Sequence, residues 1–129
     1  MLEAKLMRED GILVLIPSGT SDAVDFERLH LLVDPYIEKQ GVLNGVMIYA
    51  DSYPGWEGFT SLLSQLRFID EEKHRIRRVA AVTDSGFLSI LPQVGNFFVD
   101  AEVRHFHYDD HQVAMEWLKG VPVEEDSNT

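Results

Sequence analysis

Cysteine is missing from the 129 residues, which excludes disulfides, thiolate metal sites and cysteine nucleophiles within the chain. There is no run of about twenty apolar residues, so no membrane-spanning helix is expected. The first residues lack the basic flank and small-residue cleavage site of a signal peptide, and the expected location is cytoplasmic. Basic residues are scarce: 11 Lys and Arg stand against 22 Asp and Glu, a formal charge of −11. Such a surface repels nucleic acid and anionic membrane, so neither nucleic-acid binding nor membrane insertion is expected. The chain also has no Gly-x-Ser-x-Gly elbow, no Gly-x-x-x-x-Gly-Lys loop and no Gly-x-Gly-x-x-Gly fingerprint. No catalytic motif is recognisable, no cofactor is implied, and the chain reads as a non-enzyme.

What is present is enough for one core, since 45% of the residues are apolar and the length suits a single domain. Leu2 to Met7 alternates apolar and polar side chains, Arg8 to Gly11 ends in the turn signal Asp-Gly, and Ile12 to Ile16 is continuously apolar. This predicts an antiparallel hairpin whose second strand is central. After a loop from Pro17 to Ser21, Asp22 is placed to cap a helix that turns Phe26, Leu29, Val33 and Tyr36 or Ile37 to one face. Pro35 predicts a kink or a restart after Asp34, and Gly41 a stop.

Further strands are predicted over Val42 to Ala50, Ile76 to Thr83 and Asp100 to Tyr108. Helices are predicted between them from Phe59 to Ile69 and from Phe87 to Val94. A last helix, with Asp109 and Gln112 in a capping-box pattern, buries Val113, Ala114, Trp117 and Leu118. The order β-β-α-β-α-β-α-β-α predicts an α/β fold: a mostly parallel sheet with an N-terminal antiparallel hairpin and helices packed on it. The domain is expected to span residues 1–119, followed by an acidic, disordered tail over 120–129. Ligands of such sheets gather at the carboxyl ends of the strands, here Pro17 to Asp22, Asp51 to Gly58 and Thr83 to Gly86.

Several stretches give the chain a more particular likeness. They are Asp25-Phe26, Pro54-Gly55-Trp56-Glu57-Gly58, Ile76 to Asp84, Ala101 to Phe106 and Ala114-Met115-Glu116-Trp117-Leu118. In order and spacing these resemble the bacterial SpoIIAA-like family of the STAS and CRAL-TRIO (SEC14-like) superfold, over roughly Met1 to Leu118. The resemblance implies a STAS-like fold and a non-enzymatic interaction or regulatory module of unspecified pathway. It implies less about activity, because fold does not fix function. STAS anti-sigma-factor antagonists carry Asp-Ser-Ser-Gly at the start of the helix after this strand, the serine being a phosphorylation switch. Here that stretch reads Glu57-Gly58-Phe59-Thr60-Ser61, leaving Thr60 and Ser61 as alternative switch hydroxyls near a helix N-terminus or as ordinary caps.

Other features keep more than one reading. Tyr53 and Trp56, in the most aromatic loop, either wall a pocket or plug the sheet end. The apolar run from Phe87 to Val99 exceeds what one face of a short helix buries, so it meets a protein partner, a second copy in a homodimer, a lipid-like ligand, or the core. A small apolar ligand would take Tyr53, Trp56, Glu57, Phe59, Phe87 and Leu91 as its contacts. Asp51 and Glu57 form a carboxylate pair of undefined separation. His105 and His107 share one side of a strand, with His111 beyond, but no third ligand follows a recognised spacing and no metal is assigned. Arg67, Lys73, Arg75, Arg77 and Arg78 concentrate positive charge, read either as a solvated helix end or as an anion or partner patch.

Overall fold

The computed structural model of the chain describes residues 2–17, 23–50, 75–84, 86, 88, 92 and 101–120. Five strands form one sheet in the order β1 (Leu2–Met7), β2 (Ile12–Pro17), β3 (Val42–Tyr49), β4 (Arg75–Val82), β5 (Glu102–Phe106). The β1–β2 pair is antiparallel and the other three pairs are parallel. The expected mixed α/β sheet, with β2 inside it, is therefore what forms. The helix expected from Phe59 to Ile69, the one expected from Phe87 to Val94 apart from Leu88 and Pro92, and the tail after Gly120 lie outside the described residues.

β2 is buried from Ile12 to Leu15 because it is covered on both faces, which is why its sequence is a solid apolar run and not an alternation. Pro17 is tolerated as its last residue: the pairing with β3 ends at Leu15, so the missing N–H costs no ladder bond there. In the turn between β1 and β2, Gly11 adopts φ +69° and its N–H donates to Met7 O at 2.8 Å. A side chain is disfavoured at that φ.

Helix α1 (Ala23–Gln40) packs Leu29, Val33 and Ile37 onto one face of the sheet, against Leu13, Leu15, Val46, Ile48, Val79 and Ala81. Helix α2 (His111–Leu118) packs Ala114, Trp117 and Leu118 onto the other, against Ile12, Val14, Met47, Ala80, Val82 and Phe106. Each buried Leu, Val or Ile side chain among these contributes on the order of 1.5–3 kcal/mol by leaving water. The helices thus cover opposite faces of the strands that form the core.

Three local expectations are corrected. α1 continues through Pro35 as one helix, with no restart after Asp34; Pro35 is exposed and so lies on the solvent side of the helix. The capping box at Asp109 does not form. Instead a 3₁₀ turn (Tyr108–Asp110) precedes α2, His107 Nδ1 accepts the Asp109 N–H at 3.3 Å, and Asp110 makes no side-chain cap. The last strand is shorter than Asp100 to Tyr108, ending at Phe106.

The two-residue alternation also moves by one within β3 and β4. Leu43 and Val46 face α1, as do their partners Ile76 and Val79, while Gly45 and Arg78 pair beside α2. Because both strands take the extra residue at the same level, at Asn44 and Arg77, the register stays in step. The shift brings a glycine under Leu118 and a guanidinium under Trp117.

Candidate functional site

β2 to β5 run parallel, so Pro17, Tyr49, Val82 and Phe106 bring their carboxyl ends to one edge of the sheet. At this edge backbone carbonyls and side chains emerge from a dry core, and a ligand can be reached from several strands at once. The two buried polar or charged side chains among the described residues both belong to it: Asp25, in the first turn of the helix that follows β2, and Thr83, immediately after β4.

The turn after β4 is held on three sides. Thr83 N–H donates to Phe106 O at 3.2 Å, and Gly86 N–H donates to Asp84 Oδ1 at 3.0 Å, an Asx turn. His105, on the neighbouring strand, sets Nε2 at 3.0 Å from Thr83 O and 3.1 Å from Asp84 O. Both partners are carbonyl acceptors, so Nε2 carries the proton and donates to both. The Thr83 hydroxyl is different: it is buried and has no hydrogen-bond partner among the described residues. Leaving a hydroxyl dry and unpaired costs about 1–3 kcal/mol, so it is the polar atom at this edge most in need of a partner.

On the α2 side of the same edge, Tyr49 stacks on Tyr108 with ring centres 4.7 Å apart and planes within 7°. The His111 ring lies 5.4 Å from Tyr49. The three histidines weighed as metal ligands are therefore occupied differently: His105 by carbonyls, His107 by a backbone N–H, His111 by an aromatic ring. Among the described residues no three His, Cys, Asp or Glu side chains converge.

The opposite end of the sheet holds the described part of the basic concentration. Arg78 donates through Nη1 to Trp117 O, sets Nε 3.6 Å from Glu102 and lies 5.0 Å from the centre of the Trp117 ring. Lys119 pairs with Asp10 at 3.7 Å, and Asn44 Nδ2 donates to Asp10 O at 2.8 Å. Asn44, Arg77, Arg78, Leu118 and Lys119 line a cleft of about 190 Å³. Arg78 and Lys119 sit at the negative end of α2. Arg67 and Lys73 lie outside the described residues.

Tyr53, Trp56, Glu57, Phe59, Thr60, Ser61, Phe87 and Leu91, the residues singled out for ligand contact or phosphorylation, also lie outside the described residues, as does Asp51. The place of Thr83 at this edge is as expected, whereas its unpaired hydroxyl, the Tyr49–Tyr108 stack and the role of His105 are not foreseen from the sequence. Only Thr83 carried a signal, as the one hydroxyl closing an apolar strand.

The model of the family described as SpoIIAA-like matches residues 12–119. No curated protein and no solved structure matches the chain.

Proposed function

The chain belongs to the SpoIIAA-like family, and from that premise we propose that it works by binding and not by chemistry, as a non-enzymatic STAS-like interaction or regulatory module in the cytoplasm. The observation that carries this reading is the family match over residues 12–119, which takes in the four parallel-paired strands and both of the described α-helices. The absence of a recognised nucleophile, phosphate-loop or metal-ligand motif from the sequence is consistent with it. A protein partner or a second copy is the occupant proposed for the apolar run from Phe87 to Val99, and Thr60 and Ser61 are the hydroxyls proposed for any phosphoswitch. Incubation with a metabolite panel should give no turnover. Turnover abolished by Asp51→Ala or Glu57→Ala would overturn the reading.

A second reading is favoured by one observation. The Thr83 hydroxyl, buried and unpaired at the carboxyl edge, suits the polar end of a small apolar ligand whose body would lie against Tyr53, Trp56, Glu57, Phe59, Phe87 and Leu91. A carrier or sensor of such a ligand predicts a copurifying mass in native mass spectrometry and a lipid-induced change in tryptophan fluorescence. If neither is seen, this second reading falls.

A further inference from the structure

A sheet edge presents a row of backbone N–H and C=O groups that lack a neighbouring strand, and β1 is one of the two edges of this sheet. It pairs with β2 without a break from Leu2 to Met7 and contains neither proline nor glycine, so it is a regular strand. No described strand pairs with its outer side. Leu2, Ala4 and Leu6 pack into the α1 side of the core, which leaves Glu3 and Lys5 on the opposite face. Both are exposed, and neither is in an ion pair with another described residue. The other edge, β5, differs: Glu102 is paired with Arg78, and Arg104 lies 5.0 Å from the centre of the Phe106 ring. Its charges are already engaged, whereas those of β1 are not.

We propose that β1 pairs antiparallel with β1 of a second copy, joining two sheets edge to edge. The charges select both partner and register. Side chains that face each other across an antiparallel pair share one face of the sheet, so a two-fold axis must set one residue against itself. An axis at Glu3 sets Glu3 against the partner's Glu3, and an axis at Lys5 sets Lys5 against the partner's Lys5; both are repulsive. Within the strand, only an axis at Ala4 brings opposite charges together. It sets Glu3 against the partner's Lys5, twice by symmetry, and on the α1 side it sets Leu2 against the partner's Leu6. Each copy carries −11, but that repulsion is spread over the surface and screened beyond about 8 Å at physiological salt, whereas these pairs are in contact. The proposal rests on the reading of the chain as an interaction module and gives a second copy a surface apart from the run Phe87 to Val99.

The test is sedimentation equilibrium of the full chain from about 1 μM to about 500 μM, beside Glu3→Lys, Lys5→Glu and the double exchange. The native chain should dimerise in this range. Each single reversal should weaken the dimer about tenfold or more, although Glu3→Lys lowers the net negative charge and Lys5→Glu raises it. Mixing the two single variants should restore a dimer, since the two lysines of one chain then face the two glutamates of the other, and the double exchange should dimerise like the native chain. Both side chains are exposed, so circular dichroism and thermal melting of the dilute variants should match the native chain. A chain monomeric throughout, a dimer that both reversals leave intact, a dimer strengthened by Glu3→Lys and weakened by Lys5→Glu, or no recovery on mixing would overturn the proposal. Each of those outcomes leaves the interaction-module reading standing; metabolite turnover removes that reading without touching a dimer found by sedimentation.

Discussion

Substituting Gly45 by alanine probes how closely α2 sits on the sheet. A Cβ at this position would lie 2.7 Å from Leu118 Cδ2, 2.9 Å from Leu118 Cβ and 3.1 Å from its Cγ. Carbon atoms in contact prefer about 3.5–4.0 Å, so the separation must grow by about 0.6–1 Å. A rotamer change moves Cδ2 but leaves Cβ where the helix backbone holds it; the last turn of α2 must therefore lift. That turn also carries Trp117, which is 6% exposed, and the carbonyl that Arg78 grips. Overpacking of this kind costs about 1–3 kcal/mol, and we expect Gly45→Ala to destabilise by about 2 kcal/mol. With a urea m-value of about 1–2 kcal/mol per molar, the midpoint should fall by about 1–2 M with m unchanged. Leu118→Ala alone should cost about 2–5 kcal/mol through lost burial and a cavity. In the double variant the new methyl occupies space that Leu118 vacates, so the two costs should fall short of their sum by at least about 1 kcal/mol. A neutral Gly45→Ala, or additivity within about 0.5 kcal/mol, would refute the packing described.

Thr83→Val replaces an unpaired buried hydroxyl by a methyl of similar size and should leave stability unchanged or raise it by about 1 kcal/mol; a loss beyond that in thermal unfolding would mean that the hydroxyl has a partner. Arg78→Met keeps much of the packing on Trp117 but removes the donor to its carbonyl, with an expected cost of about 1–3 kcal/mol in urea, and Arg78→Lys should recover little of it because a planar guanidinium is what lies over the ring. Asn44→Ala releases Asp10 O at the hairpin turn and should cost about 1 kcal/mol, with faster amide exchange at Gly11 and its neighbours as the local sign.

Period and punctuation carried most of the fold. The solid apolar run of β2, the Asp-Gly turn before it and the 3.6-residue spacing of Leu29, Val33 and Ile37 each have one physical meaning, and each was readable. The restart expected at Pro35 does not occur because Pro35 sits on the exposed side of α1, where a lost backbone hydrogen bond costs less than in the core. The Asp109 capping box misled because His107 accepts the same backbone donor first. The paired one-residue shift at Asn44 and Arg77 has no signature in either strand alone, since it depends on two strands making the same change. At the carboxyl edge, the position of Thr83 was legible but its lack of a partner was not, because pairing is decided by neighbours far apart in sequence, such as His105 and Phe106.

The central claim is that the chain acts by binding and not by turnover. The direct measurement is mass-spectrometric depletion of a broad metabolite panel by the purified full chain, run beside Asp51→Ala and Glu57→Ala. The account predicts three indistinguishable traces, none departing from a protein-free blank. Steady consumption of any metabolite by the native chain, abolished in either variant, would contradict it.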